Sequence, residues 1–302
     1  RVLAKKGFSP EDAKNAAVIF AQNSLAGVYS HGLNRFPRVV SYLEKGEIDP
    51  NARATCEMKM GAMERWDGHR GFGPLNAKRA MDRACELAKE YGIGCVALGN
   101  NNHWMRGGTY GLYAARKGYA AIMWTNTESC MPPWGGRECR LGNNPFVMAV
   151  PSADGSEPLQ LDMAMSQYSY GKLQVTRLAG EKLPYPGGFD DEGNLTDEPG
   201  AIENSRRVLP VGYWKGSAFS FMLDILGGSA HGRHRSSRHG PEGIRQLRRL
   251  FPGDDCGGSG QDHHGCPYEG NRGYSRAVCK KLGSVGGRRQ CQGAGPGKRP
   301  VP

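Results

Sequence analysis

Apolar positions recur with helical spacing in several stretches of the first 226 residues. Ser9-Pro10-Glu11-Asp12 has the form of a capped helix start, with Pro at the first helical position and an acid three residues after the cap. Ala13, Ala16, Ala17 and Phe20 then follow the period of a half-buried helix. Val39, Val40 and Leu43 mark a second helix. A third runs through Ala77, Ala80, Met81, Ala84, Leu87, Ala88 and Tyr91 and is expected to stop at Gly92, which accepts a left-handed cap. After it the pattern changes. Cys95–Leu98 reads as a buried strand, Tyr110–Lys117 as a helix ended by Gly118, and Ala120–Trp124, Phe146–Val150 and Leu159–Met163 as further strands. Strands alternating with helices predict an α/β fold.

The pattern breaks at Gly227. A helix over Ala218–Leu226 is cut off, and few aliphatic residues and little periodicity follow it. The net charge of +11 belongs mostly to this last stretch: residues 227–302 hold 14 Lys+Arg against 5 Asp+Glu, leaving a net of +2 for residues 1–226. The tail also holds 18 of the 45 glycines. One reading is a disordered basic tail; the other, which we favour, is translation in a shifted reading frame of a GC-rich gene, where Gly, Arg, Pro and Cys accumulate. Either way the high pI is a property of the tail. A nucleic-acid binder ranks last, because the tail's aromatics are only Phe251, Tyr268 and Tyr274. The longest apolar runs fall far short of the roughly 18 residues of a membrane span, and no charged-then-apolar leader is seen, so the expectation is a soluble, cytoplasmic protein with no membrane or nucleic-acid partner. Three regions are expected: a helical N-terminal subdomain over 1–60, an α/β region over 61–226, and an aberrant Gly/Arg-rich tail over 227–302.

Nine cysteines without a close-spaced pair argue against a zinc ribbon or a dithiol motif. Cys256, His263, His264 and Cys266 fit no usual finger spacing, so no metal is expected. Gly92-Ile93-Gly94-Cys95-Val96-Ala97 has the letters of a dinucleotide loop in the reversed context, after a helix and before a strand, and reads as a helix stop. His31 lies in Tyr29-Ser30-His31-Gly32-Leu33-Asn34-Arg35-Phe36-Pro37. This segment can be a polar turn between helices, with Ser or Asn as a cap. It can also place an imidazole, of ordinary pKa about 6.5, one turn from a guanidinium. Such a pair suits an α-keto acid: Arg35 grips the carboxylate bidentately while His31 gives a proton to the adjacent carbonyl oxygen. His103, in Asn100-Asn101-Asn102-His103-Trp104, follows a strand end, where α/β sites gather, and reads equally as a hydrogen-bonded structural histidine. The Gly/Pro-rich excursion Met131–Gly136, continued by Leu141–Pro145, has the length and the Trp and Asn content of a functional loop. Asp190–Asn194 lacks calcium-loop spacing and reads as an acidic surface turn.

Taken in order, Val28–Pro37, NNHWMRGGTYG at 101–111, Met131–Gly135, Glu138–Pro145, Gly187–Thr196 with GFDDEGNLT at 188–196, and LPVGYWKGS at 209–217 resemble the malate/L-lactate dehydrogenase family, which is distinct from the Rossmann lactate dehydrogenases. The likeness covers almost all of residues 1–226. It implies a non-Rossmann NAD(P)-binding α/β fold, a mixed sheet with flanking helices, a homodimer, and reduction of a 2-keto acid by NADH or NADPH. It also implies roles: His31 as catalytic proton donor, Arg35 and His103 as substrate-binding residues, and cofactor contacts from Pro158, Leu159, Gln160, Leu161, Asp162, Met163, Ala164, Trp214 and Lys215. A cofactor-contacting Gly-x-Glu near the family's C-terminus has no counterpart at the matching end here, Gly293-Ala294-Gly295-Pro296-Gly297.

Overall fold

The computed structural model describes residues 1–231. A short helix α1 (Val2–Lys5) precedes α2 (Pro10–Leu25), which starts as its sequence predicts: Ser9 Oγ accepts the Asp12 N–H at 3.2 Å, and Pro10 occupies the first helical position. Two consecutive 3₁₀ turns, Tyr29–His31 and Leu33–Arg35, lead into α3 (Phe36–Glu44). The hairpin β1 (Thr55–Met60) and β2 (Met63–Asp67) is followed by the long α4 (Gly73–Tyr91), which ends at Gly92 in the left-handed conformation, φ 81°. Next come β3 (Cys95–Gly99), α5 (Gly108–Arg116), β4 (Ala121–Trp124), β5 (Ser129–Met131), β6 (Leu141–Gly142), β7 (Phe146–Val150) and β8 (Leu159–Met163). The remainder is α6 (Tyr170–Leu178), β9 (Gly188–Phe189), β10 (Leu195–Thr196), α7 (Pro199–Ser205), β11 (Arg207–Val208) and α8 (Trp214–His231).

Helices and strands therefore alternate as an α/β chain should, and among the described residues the strands divide into four small sheets. The first is mixed: β2 pairs antiparallel with β1 and parallel with β3. The second, β4-β7-β8, is antiparallel and leaves β8 as an edge strand. Its inner face puts Val147 and Ala149 in the core, while Ile122, Met148 and Leu161, aligned across the three strands, face outward. β10-β9-β11 and β5-β6 complete the set.

The N-terminal core gathers Phe8, Phe20, Val39, Phe72 and Met105, with Phe20 edge-on to Phe36 at 5.4 Å between ring centres. A second core holds Met131, Leu141, Met165, Leu173, Ile202 and Leu223. Asp12, buried on α2, ties that helix to α4 through Arg79 at 3.0 Å and also pairs with Arg53.

Three expectations need correction. Ala17 is exposed, and Ile19 completes the buried stripe with Ala16 and Phe20; an alanine carries too little apolar area to dictate which way a helix turns. Cys95–Leu98 is a strand but not a buried one, because β3 lies at the edge of its sheet. The last helix does not stop at Leu226 but runs to His231. The tail Cys/His cluster and the terminal Gly-rich stretch lie outside the described residues. Among the described residues no three potential metal ligands converge, and no helix is long and apolar enough to cross a membrane. The acidic turn at Asp190 closes on itself: Asp190 Oδ1 accepts the Asn194 N–H at 2.8 Å.

Candidate active site

The two 3₁₀ turns between α2 and α3 carry His31 and Arg35, and the fold brings His103 onto them. The His31 and His103 rings stack with centres 5.4 Å apart and planes within 16°. His103 is aimed by its own chain. Its Nδ1 accepts the Met105 N–H at 2.9 Å, so the neutral ring carries its proton on Nε2. Met105 is buried and left-handed, φ 67°, a conformation costing a bulky residue about 1–2 kcal/mol. The three preceding asparagines hold this loop: Asn102 Nδ2 donates to the Arg70 carbonyl at 2.7 Å, Asn101 Oδ1 accepts from Asn76 at 3.1 Å, and Asn100 Nδ2 donates to Asp67 at 2.9 Å.

The N-terminal turn of α5 joins the loop to β8. The Gly108 N–H donates to Asp162 Oδ2 at 2.9 Å, and the Gly108 carbonyl accepts from Gln160 Nε2 at 2.5 Å. Arg106 donates to Gln160 Oε1 at 3.1 Å and lies 3.6 Å from Asp162. Gln160 and Asp162 are thus bound into the site wall. Leu159 and Leu161 face solvent, and Met163 packs on the second core. Pro158 and Ala164, at the two ends of the strand, are half-buried. Trp214 and Lys215 sit elsewhere, in the first turn of α8. There the Lys215 ammonium is 5.8 Å from the Trp214 ring centre, Tyr213 meets Trp134 at 5.0 Å, and Ser217 Oγ accepts the Trp134 N–H at 3.0 Å.

The electrostatics of the histidine pair are one-sided. Burial, then the charge of Arg35, holds His31 below its ordinary pKa; Asp162 pushes the other way and Arg106 adds to the depression. His103 is pushed down to about 3 by its enclosure in protein, then by Arg35, His31 and Arg38. His103 is nonetheless exposed to water as a residue, which screens part of that push. Three guanidiniums, Arg35, Arg38 and Arg106, therefore bear on two imidazoles, with the carboxylates of Asp162 and Glu128 as counter-charges. Such a site favours an anion. A separate cavity of about 700 Å³ has Glu128 on its wall and is lined further by Cys130, Tyr170 and Arg206.

The residues fit a nicotinamide nucleotide. β8 is a sheet edge, and among the described residues no strand pairs with its outer side, so the backbone amides and carbonyls that do not bond β7 face outward beside Asp162 and Gln160. An edge of this kind offers the alternating donors and acceptors that a carboxamide needs. Sequence reading did not single out Arg38, Arg106 or Glu128. Arg106 stands inside the NNHWMRGGTYG stretch, directly before the glycines that open α5, and that position was the available signal.

The chain is an oxidoreductase of the malate/L-lactate dehydrogenase family: the family model matches residues 1–248, and the chain belongs to that family. Its members are dehydrogenases and reductases of 2-hydroxy and 2-keto acids, generally with nicotinamide cofactors. Similar relatives include the 2,3-diketo-L-gulonate reductase of Citrobacter koseri, 56% identical over 226 residues, or 75% of this chain and 67% of that protein. The Escherichia coli O139:H28 protein of the same name is 56% identical over 227 residues, with the same coverage. Among solved structures, delta1-piperideine-2-carboxylate reductase from Pseudomonas syringae pvar. tomato superposes with a TM-score of 0.74 at 31% identity, covering 80% of this chain and 72% of that one.

Proposed function

We propose that the chain descends from, and in its first 226 residues retains the site of, an NADH- or NADPH-dependent reductase of 2,3-diketo-L-gulonate, forming 3-dehydro-L-gulonate. The observation that carries this reading is the stack of His31 on His103 beside Arg35, next to the open edge of β8. Identity of 56% to relatives of that name supports the substrate.

A nicotinamide cofactor, when bound, supplies the hydride. The chain's own residues do the rest. Arg35 pairs with the substrate carboxylate and so fixes which carbonyl lies over the imidazole. His31 delivers a proton to the carbonyl oxygen as negative charge builds there, a contribution of typically 10²–10⁴-fold. The charge balance makes protonation depend on substrate. In the free site Arg35 opposes a proton on His31; a carboxylate seated on Arg35 offsets that charge, and Asp162 then favours the imidazolium. His103 stays neutral and offers its Nε2 proton as a hydrogen bond to the substrate. Gln160, Asp162 and the β8 backbone, with Pro158, Leu159, Leu161, Met163 and Ala164 along the same strand, form the nicotinamide side of the cleft. Trp214 and Lys215 offer an exposed ring and an ammonium for the remoter parts of the nucleotide. The family likeness extends the reading to a cytoplasmic homodimer in carbohydrate metabolism, its oligomeric part checked by sedimentation.

A second reading, an inactive product of the same gene, is favoured by the composition of residues 227–302. The stretch matched to the Citrobacter koseri relative is as long as the sequence preceding Gly227. Oxidation of NADH or NADPH on adding 2,3-diketo-L-gulonate tests both readings, with the chain as it stands beside the product of a repaired-frame gene. His31→Asn in whichever is active should abolish turnover and leave cofactor binding nearly intact; retained turnover refutes the assignment of His31.

A further inference from the structure

We propose that Asn23 is a positioning residue, tying the backbone of His31 to the first turn of α5 and, through that turn, to β8. The proposal rests on the reading of His31 as proton donor. Asn23 stands near the C-terminal end of α2 in line with Ala16, Ile19 and Phe20, where the helical period calls for an apolar side chain, and it is only 1% exposed. A buried amide must have partners. Its Nδ2 donates to the His31 carbonyl at 3.0 Å, and its Oδ1 accepts from Thr109 Oγ1 at 2.7 Å. The orientation of the amide is dictated, since a carbonyl can only accept. Thr109 follows Gly108, whose N–H and carbonyl both engage β8 side chains. An unbroken chain of bonds therefore runs from Asp162 and Gln160 through Gly108, Thr109 and Asn23 to His31.

The neighbouring residue holds the chain just beyond the histidine. Ser24 Oγ accepts the Leu33 N–H at 2.9 Å, so the last turn of α2 grips the backbone at His31 and again two residues after it. Neither bond touches the imidazole. Both set where its backbone lies relative to β8, the strand assigned to the cofactor. Asn is suited to the task because one planar group both gives and receives. Leu would leave the His31 carbonyl and the Thr109 hydroxyl unpaired, and Asp would set a carboxylate oxygen against the carbonyl.

Asn23→Ala, Thr109→Val and Thr109→Ser in the full chain test this, with His31→Asn alongside. Misplacement of a catalytic group by about 1 Å costs on the order of 10²-fold. In an active chain Asn23→Ala should lower kcat by about that factor, and Thr109→Val by about 10-fold, with the keto-acid KM within about threefold, since Arg35 is untouched. Thr109→Ser, which keeps the hydroxyl, should restore the rate. The second readout needs no activity: the imidazole NMR titration of His31, assigned by its loss in His31→Asn, should move toward the ordinary histidine midpoint in Asn23→Ala and Thr109→Val, and return in Thr109→Ser. An unmoved titration in both variants overturns the proposal, as does an activity loss that Thr109→Ser fails to restore. If His31→Asn keeps full turnover, the proton-donor reading falls, and the titration alone decides whether Asn23 positions the ring.

Discussion

Gly73 is the first residue of α4, and the loop bearing His103 runs directly over it. A Cβ built there would lie 2.2 Å from the Asn102 carbonyl oxygen and 2.4 Å from that of His103. Carbon and oxygen in ordinary contact stand more than 3 Å apart, so Gly73→Ala requires a displacement of about 1 Å. Both obstructing atoms are backbone and cannot rotate away. Asn102 is held besides, since its Nδ2 donates to the carbonyls of Arg70 and Glu47. Overpacking of this kind costs about 1–3 kcal/mol. The opposing gain, the helix preference of Ala over Gly, is at most about 1 kcal/mol in a helix interior and smaller in the first turn. The clash therefore decides the sign. Urea unfolding should show Gly73→Ala less stable, and steady-state reduction of the keto acid should fall by up to about 10²-fold as His103 slides along the His31 ring. Because Pro74 follows in the first turn, the helix start cannot shift by unwinding cheaply. A Gly73→Ala protein with stability within 0.5 kcal/mol of the parent (about the scatter of neutral surface changes) and unchanged kinetics would refute the reasoning.

The depression of His31 predicts two different pH profiles. With His31 as the proposed proton donor, reduction needs a protonated imidazole, so kcat/KM, which reports the free enzyme, should fall as pH rises through a midpoint below 6.5, while kcat should break at higher pH once substrate offsets Arg35. Arg35→Gln should raise the free-enzyme midpoint and the keto-acid KM together; a midpoint that stays put would show that Arg35 does not act on His31. Glu64 gives a stability test away from the site. It is buried, Arg83 donates to its Oε1 through Nε and a terminal nitrogen at 3.0 and 2.8 Å, and Trp66 donates to Oε2 at 2.8 Å, so these bonds hold its carboxyl below the usual range. A depressed acid stabilises the fold above its unfolded pKa of about 4.3 and loses that contribution as pH falls through the folded value. Chemical denaturation from pH 6 downward should therefore show a shallower acid loss in Glu64→Gln than in the parent, and equal slopes would sink the assignment.

Much of the fold is legible along the chain because its signals are local. Phe146–Val150 and Leu159–Met163 are strands with the expected bounds, each an apolar or alternating run closed off by turn residues. α4 stops at Gly92 because its apolar stripe and its left-handed cap agree. Ala17, Cys95 and the end of α8 were misjudged where the answer depended on what packs alongside, which a short window does not contain. His31, Arg35 and His103 were legible as chemistry, and the fold brings them together. The supporting groups were not. Asn23 meets a residue 86 positions away, and Arg106 and Gly108 meet partners 52 to 54 positions away. No periodicity encodes such pairings, and an Asn on an apolar stripe shows in sequence only as a break in pattern.

Among the described residues no strand pairs with the outer margin of β8, and that margin has a cost as well as the use proposed for it. Hydrogen-bonding groups held free for a visiting molecule will accept an extended segment of another polypeptide just as well, and here that margin borders a row of bare aliphatic side chains, Ile122, Met148 and Leu161. A coenzyme seated there, as proposed, is then also a guard. While it lies along the strand it blocks intermolecular sheet growth, and the longevity of the folded chain becomes tied to how much of its coenzyme surrounds it.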